Sequence, residues 1–91
     1  MEIRWSALAA LDIERIYELI RQNNPETARE VVKILYDGCT ALKIFPNRGR
    51  IGRMNGRREL VFPSLPYIAV YQVKEQSVEI SRIYHVAQNW P

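Results

Sequence analysis

The sequence predicts a small α+β domain in which an antiparallel helical hairpin packs on one face of a mainly antiparallel, twisted sheet. Three observations lead to this prediction. The chain has 91 residues, which allows one domain with one apolar core, covering 1–91. Up to Pro46, apolar residues recur at helical spacing. Beyond Gly56, short runs of β-branched and aromatic residues are separated by turns. The predicted element order is therefore β-α-α-β-β-β.

The N-terminal half predicts a strand followed by two helices. Residues Glu2–Trp5 alternate in polarity, as residues of a strand do. Ser6 suits the N-cap of the first helix, and Asn24 followed by Pro25 suits the start of the second, which Pro46 ends. So short a link between the helices predicts an antiparallel hairpin. The first helix has an apolar face formed by Leu8, Leu11, Ile16, Leu19 and Ile20.

The C-terminal half predicts three strands. In the last of them, strict alternation places Arg82 and Tyr84 on the same side as Val78 and Ile80. A charged side chain is seldom buried without a partner. The strand is therefore expected to bulge near Arg82 or to run past the edge of the core. Either arrangement puts Arg82, Tyr84 and His85 near a sheet margin. The predicted strands are Glu59–Phe62, Tyr67–Val73 and Ser77–Val86.

A basic segment that contains several glycines joins the helices to the strands. Residues 45–59 read FPNRGRIGRMNGRRE and contain no carboxylate before Glu59. Charge is unevenly distributed, since residues 1–37 hold seven acids and five bases, whereas residues 38–91 hold three acids and eight bases. Because like charges repel, this loop is expected to bind an anionic partner, either nucleic acid or an acidic protein segment. The candidate binding residues are Arg48, Arg50, Arg53, Arg57 and Arg58.

The composition predicts a cytoplasmic protein without a metal or cofactor. Cys39 is the only cysteine, so neither an internal disulfide nor a thiol-based metal cluster can form. His85 is the only histidine and cannot build a metal site alone. We expect no signal peptide, because charged and apolar residues alternate at the N-terminus. No apolar run approaches the length of a membrane span.

Arg58, Arg82 and His85 are candidate catalytic residues if the protein cleaves RNA. Cleavage without metal needs a base for the 2′-hydroxyl, cations for the phosphorane and an acid for the leaving oxygen. His85 suits the acid or base because an imidazole titrates near neutrality. Arg58 and Arg82 suit phosphate binding through their planar guanidinium groups. An ordinary structural role for His85 in a strand remains open.

Motifs distributed along nearly the whole chain resemble the RelE/ParE superfamily of bacterial toxins. This resemblance implies the β-α-α-β-β-β fold and the toxin component of a type II toxin–antitoxin pair. Such a toxin inhibits growth and is neutralised by direct binding of its cognate antitoxin. The antitoxin is expected to lay an acidic segment across the basic loop and the open sheet face. The motifs are Trp5, Asp12-Ile13, Asn24-Pro25-Glu26, Ala28, Phe45-Pro46, Gly49-Arg50, Arg58-Glu59-Leu60, Pro66-Tyr67, Val70-Tyr71, Val78-Glu79-Ile80, Arg82, His85 and Trp90-Pro91.

The resemblance leaves the target open between two classes. ParE-like members poison DNA gyrase without cleaving RNA, whereas RelE-like members are ribosome-dependent nucleases that cut messenger RNA. Arg58 matches an arginine of the nucleases, but Val86 stands where their pattern has a catalytic aromatic residue. We expect gyrase as the target, with messenger cleavage on the translating ribosome as the alternative. The alternative requires one phosphate-sized pocket formed by Arg50, Arg58, Arg82 and His85.

Overall fold

The computed structural model describes residues 1–88 and confirms the predicted fold class, with two helices packed on one mixed sheet. Trp90 and Pro91, which belong to the last sequence motif, lie outside the described residues. No helix within residues 1–88 is both long and apolar enough to cross a membrane. The elements are β1 (Glu2–Trp5), α1 (Ala7–Arg21), α2 (Pro25–Thr40), β2 (Arg50–Ile51), β3 (Arg58–Val61), β4 (Tyr67–Val73) and β5 (Ser77–His85).

The sheet has the strand order β1-β5-β4-β3-β2. β1 runs parallel to β5, and every other neighbouring pair is antiparallel. The parallel pair joins the two ends of the chain, since Ile3 lies opposite Val78. The sequence did not predict β2, which is only two residues long and pairs Arg50 with Glu59. Such a short strand contains no run of β-branched or aromatic residues that a pattern could reveal.

Both helices begin at the predicted caps. The Ser6 hydroxyl accepts a hydrogen bond from the backbone N–H of Ala9 at 3.0 Å. The Asn24 side chain does the same for Thr27 at 3.1 Å, and Pro25 occupies the first turn of α2. The predicted end of the second helix was wrong: α2 ends at Thr40, and a 3₁₀ turn, Ala41–Lys43, follows. The tighter turn redirects the chain before Pro46 can act as the terminator.

The core lies between the helices and the sheet. Leu35 and Cys39 of α2 are fully buried against Tyr71 of β4 and Ile80 of β5. Burial raises the pKa of the Cys39 thiol to about 12. A smaller cluster covers the opposite face of the sheet and comprises Ile68, Val70 and Tyr84, with Met54 packed against it. Residues 67–71 of β4 are consequently buried on both faces.

A bulge in β5 resolves the conflict around Arg82. Val70 lies opposite Arg82, whereas the next residue of β4, Tyr71, lies opposite Ile80, so Ser81 has no counterpart. This extra residue reverses the alternation of β5. Ile83 therefore joins Ile80 in the core beneath the helices. The first of the two predicted arrangements, a bulge near Arg82, is confirmed.

The basic loop and the cleft beside helix α1

The basic loop, residues 45–59, is held to the core by the phenol of Tyr71. Its hydroxyl donates a hydrogen bond to the carbonyl of Pro46 and accepts one from the N–H of Gly49, both at 2.8 Å. Burial raises the pKa of Tyr71, which keeps the phenol protonated and able to donate. A Cβ atom at position 49 would stand 2.7 Å from the Tyr71 hydroxyl, so this close approach requires glycine.

A buried carboxylate holds the middle of the loop. Glu59 is only 2% exposed. Its carboxylate accepts hydrogen bonds from the Arg50 guanidinium at 2.9 and 3.0 Å and from the backbone N–H of Arg53 at 3.0 Å. A buried carboxylate needs such partners, because desolvation without them is costly. Sequence reasoning missed this role, although a lone acid among five arginines was a visible signal.

The five predicted binding arginines consequently differ in what they contact. Arg58 donates from Nη1 to the carbonyl of Gly49 at 2.8 Å, and Arg50 pairs with Glu59, so both hold the loop in place. The side chain of Arg57 is partly buried, and within residues 1–88 its Nε has no hydrogen-bond partner. Arg48 and Arg53 are exposed on the loop surface. The loop therefore presents a positive surface on a backbone that the arginines themselves stabilise.

A second polar site is centred on Arg82. This residue pairs with Asp12, which lies 70 positions earlier in the sequence. The two side chains form a bidentate pair, with Nε–Oδ2 at 2.8 Å and Nη2–Oδ1 at 3.0 Å. Asp12 Oδ2 also accepts the backbone N–H of Ile83 at 2.9 Å. The hydrogen bond to Asp12 raises the pKa of Arg82. The guanidinium lies 4.9 Å from the ring centroid of Tyr84, a cation–π distance.

Asp12 of this pair also supplies a hydrogen-bond partner to an unpaired edge of β5. β1 pairs with β5 only as far as Ile80, so the backbone of β5 beyond that point has no neighbouring strand on the β1 side. Side chains take the place of the strand. The Ser6 hydroxyl donates to the carbonyl of Ser81 at 2.8 Å, and Asp12 accepts from Ile83. Two main-chain groups of the edge, the Ser81 carbonyl and the Ile83 N–H, are therefore satisfied by side chains.

His85 lies in a shallow cleft between α1 and β5, with a volume of about 320 Å³. Its ring meets that of Tyr67 edge to face, with the centroids 5.3 Å apart. Its Nδ1 accepts the backbone N–H of Ala87 at 3.0 Å, which places the proton of a neutral imidazole on Nε2. Asp12, Arg15 and Arg82 also line this cleft. His85 and Arg82 are thus the two candidate catalytic residues that the structure brings together.

The strand positions of the four residues proposed for a phosphate pocket are divided between the two faces of the sheet, because residues directly opposite in a ladder share a face. Arg58 lies opposite Tyr71 and His85 opposite Tyr67, on the helix side. Arg50 and Arg82 align with Val70, whose side chain is on the other side. The guanidinium of Arg82 nevertheless reaches Asp12 of α1 and lines the cleft with His85. Even on the helix side, Arg58 and His85 are four strand residues apart, roughly 13 Å. The cleft that contains Arg82 and His85 is not lined by Arg50 or Arg58.

Comparisons with known proteins agree with this architecture. A family model described as the ParE toxin of a type II toxin–antitoxin system, parDE, matches residues 3–90. The chain is 36% identical over 89 residues to Y4kP of Sinorhizobium fredii, which is named as a candidate toxin; the match spans 98% of this chain and 92% of Y4kP. It is 31% identical over 87 residues to toxin RelE2 of Caulobacter vibrioides. This match spans 96% of this chain and 97% of RelE2.

Two solved structures share the fold. A chain from the chromosomal ParDE toxin–antitoxin system of P. aeruginosa superposes with a TM-score of 0.86 at 28% identity, covering 93% of this chain and 95% of the other. YafQ from E. coli strain BL21(DE3) superposes with a TM-score of 0.50 at 16% identity, covering 94% and 93%. The second likeness concerns the fold alone.

Proposed function

This chain belongs to the family of ParE toxins of type II toxin–antitoxin systems, and on that premise we propose that it inhibits DNA gyrase by binding rather than by catalysis. As a type II toxin it has an antitoxin partner. In this proposal, the antitoxin contacts the basic loop and the target contacts a surface that the antitoxin covers or distorts. Growth inhibition then depends on surface complementarity and needs no catalytic residue.

The occupied guanidinium of Arg82 is the observation that carries the proposal. Both of its donor positions toward α1 are engaged by Asp12 at 2.8 and 3.0 Å. These charge-assisted bonds are among the stronger contacts in proteins. They offset the charge of Arg82 and use two of its five N–H donors, so a phosphate in the cleft would meet a guanidinium already neutralised by Asp12. Arg58, the other candidate phosphate ligand, binds the Gly49 carbonyl elsewhere. The arrangement therefore favours a structural role for the Arg82–Asp12 ion pair rather than a role in RNA cleavage.

The basic loop supports the antitoxin half of the proposal. Arg48 and Arg53 lie on its surface, and the C-terminal part of the chain that contains them has a net charge of +5, from eight bases and three acids. Complementary charge of this kind speeds association and aligns a partner. An acidic antitoxin segment fits this surface, because its carboxylates would meet arginines whose backbone is already fixed by Tyr71 and Glu59.

Two assays run in parallel test the target. Purified toxin is added to DNA gyrase with supercoiled plasmid, and trapped DNA breaks are scored. The same preparation is added to programmed ribosomes, and messenger ends are mapped by primer extension. We expect DNA breaks with gyrase and intact messenger on ribosomes. The variant His85→Ala is expected to behave like the wild type, as is the control Arg15→Ala, which alters the same cleft.

Messenger cleavage on the ribosome is the second candidate function. It is favoured by one observation, the shared cleft of Arg82, His85 and Tyr67. New cuts within A-site codons that vanish in His85→Ala but persist in Arg15→Ala would establish it and refute the binding mechanism. In that case Arg82 would contact the substrate phosphate through the N–H donors that Asp12 does not engage, or would exchange Asp12 for the phosphate.

A further inference from the structure

Two large apolar side chains are exposed where the basic loop begins. Ile44 is 68% exposed and Phe45 is 62% exposed. Single exposed apolar residues are common on protein surfaces, but these two are adjacent in sequence and border one open concavity. That concavity has a volume of about 710 Å³ and is lined by residues 44–48. We call it the anchor pocket.

The backbone of the anchor pocket is fixed from beneath. The N–H groups of Ile44 and Phe45 both donate to the carbonyl of Ala41, at 3.1 and 3.2 Å. The carbonyl of Phe45 accepts the N–H of Arg48 at 3.1 Å. Pro46 is tied to the buried Tyr71 hydroxyl at 2.8 Å. An apolar surface presented on a fixed support loses little conformational entropy when a partner binds, so it suits a preformed docking site.

The charges around the anchor pocket are positive. Lys43 precedes the apolar pair and Arg48 forms one wall, and both are exposed. No carboxylate belongs to the five residues that line the concavity. A matching partner has one or two apolar side chains for the concavity and carboxylates beside them for Lys43 and Arg48.

We propose that the anchor pocket binds an acidic segment of the antitoxin through at least one apolar or aromatic side chain of that segment. This inference rests on the proposed function, which places the antitoxin on the basic loop, and adds the residues that anchor it. Symmetric pairing of two toxin copies here is unfavourable, because it would bring Lys43 and Arg48 against their own counterparts. Charge complementarity thus selects the antitoxin over a second copy.

The test measures the affinity of the purified cognate antitoxin, carrying a fluorophore, for toxin variants. The test variant is Ile44→Ser/Phe45→Ser. The control is Leu8→Ser/Ile34→Ser, which removes two apolar side chains of the helices that are 55% and 40% exposed. Because all four residues lie at the surface, the urea midpoints should match that of the wild type. We expect affinity to fall roughly 30- to 1,000-fold in the test variant and by less than about threefold in the control.

A third variant checks the charge component. Arg48→Glu should weaken antitoxin binding, and the loss should shrink as salt is raised, because exposed charges are screened. The Ile44→Ser/Phe45→Ser loss should persist at high salt, since burial of apolar surface is not screened. Equal losses at low and high salt for Arg48→Glu would contradict the assignment of the acidic chemistry.

Several results would overturn the inference, and each is distinct from failure of the proposed function. Unchanged antitoxin affinity in Ile44→Ser/Phe45→Ser would remove the pocket from the interface. Unchanged affinity with lost gyrase-dependent DNA breaks would assign the pocket to the target, and lost self-association alone would assign it to a second copy. Wild-type toxin that binds antitoxin but never traps DNA breaks would refute the gyrase proposal and leave the anchor pocket intact.

Discussion

Replacing Asp12 by alanine should destabilise the protein, although Asp12 lines a surface cleft. Asp12 is 8% exposed and accepts three hydrogen bonds, two from Arg82 and one from the N–H of Ile83. The substitution leaves a buried N–H without its acceptor, which costs about 1–3 kcal/mol. It also removes the partner of Arg82, whose side chain is 30% exposed and can turn toward water. The expected loss is about 2–4 kcal/mol, below the ~3–5 kcal/mol of a fully buried pair.

Urea unfolding followed by circular dichroism measures this loss, provided that the slope with denaturant is unchanged. Asp12→Asn should cost less, about 1–2 kcal/mol, because the amide oxygen keeps one acceptor for Ile83. Adding Arg82→Ala closes a double-mutant cycle, in which we expect a coupling energy of about 1–3 kcal/mol. The matched control is Arg15→Ala, since Arg15 lines the same cleft and should change stability by less than about 0.5 kcal/mol.

A loss below about 0.5 kcal/mol for Asp12→Ala would refute the reasoning. It would mean that water satisfies the Ile83 N–H and that the edge of β5 needs no side-chain partner. A large loss with negligible coupling to Arg82 would assign the whole effect to the N–H contact and would leave the guanidinium available for a ligand. That second result would also remove the main support for a non-catalytic toxin.

Three further predictions concern the loop and the core. Tyr71→Phe removes both hydrogen bonds to the loop, at Pro46 and Gly49, and should cost about 1–3 kcal/mol, with faster amide hydrogen exchange at Gly49. Gly49→Ala should destabilise the protein more than Gly56→Ala, because a Cβ at position 49 would stand 2.7 Å from Tyr71. Gly56 has nothing within 4 Å, and alanine at its φ of +76° costs about 1 kcal/mol of strain. Equal urea midpoints for the two variants would contradict this. The pKa of Cys39 is raised to about 12, so above pH ~9 this thiol ionises only in the unfolded state and should lower stability by about 1.4 kcal/mol per pH unit. The difference in slope between wild type and Cys39→Ala measures this contribution, because the raised pKa of Tyr71 acts in both proteins.

Element order and helix starts were predictable because they depend on neighbours in sequence. Ser6 and Asn24 cap the helices through bonds that span three residues. The bulge near Arg82 was also foreseeable, since strict alternation would bury a charge. Contacts between distant segments were not. Asp12 reads as one acid on the polar face of a helix, and nothing local indicates that it meets Arg82 across the edge of β5.

The basic loop shows the same limit in the candidate sites. Its positive charge was evident, and the expectation that it contacts a partner stays a prediction. It was not evident which arginines hold the loop and which lie on its surface. That difference depends on the two-residue strand β2, which brings Arg50 beside the buried Glu59. The exposed pair Ile44 and Phe45 was also missed. The periodicity of the sequence predicted that the second helix continues to Pro46. Instead α2 ends at Thr40, and after the 3₁₀ turn the side chains of Ile44 and Phe45 are exposed.

The parallel pairing of β1 with β5 has a consequence for biosynthesis. Residues 2–5 find their strand partners only at residues 77–80, which are 75 positions later, so this pairing raises the contact order of the fold. During translation β1 therefore lacks its strand partner until residues 77–80 have left the ribosome. A chain cut before Ser77 would leave β1 and β4 without their shared neighbour, and we expect it to remain unfolded. The toxin should therefore gain activity only after β5 has emerged, in one step.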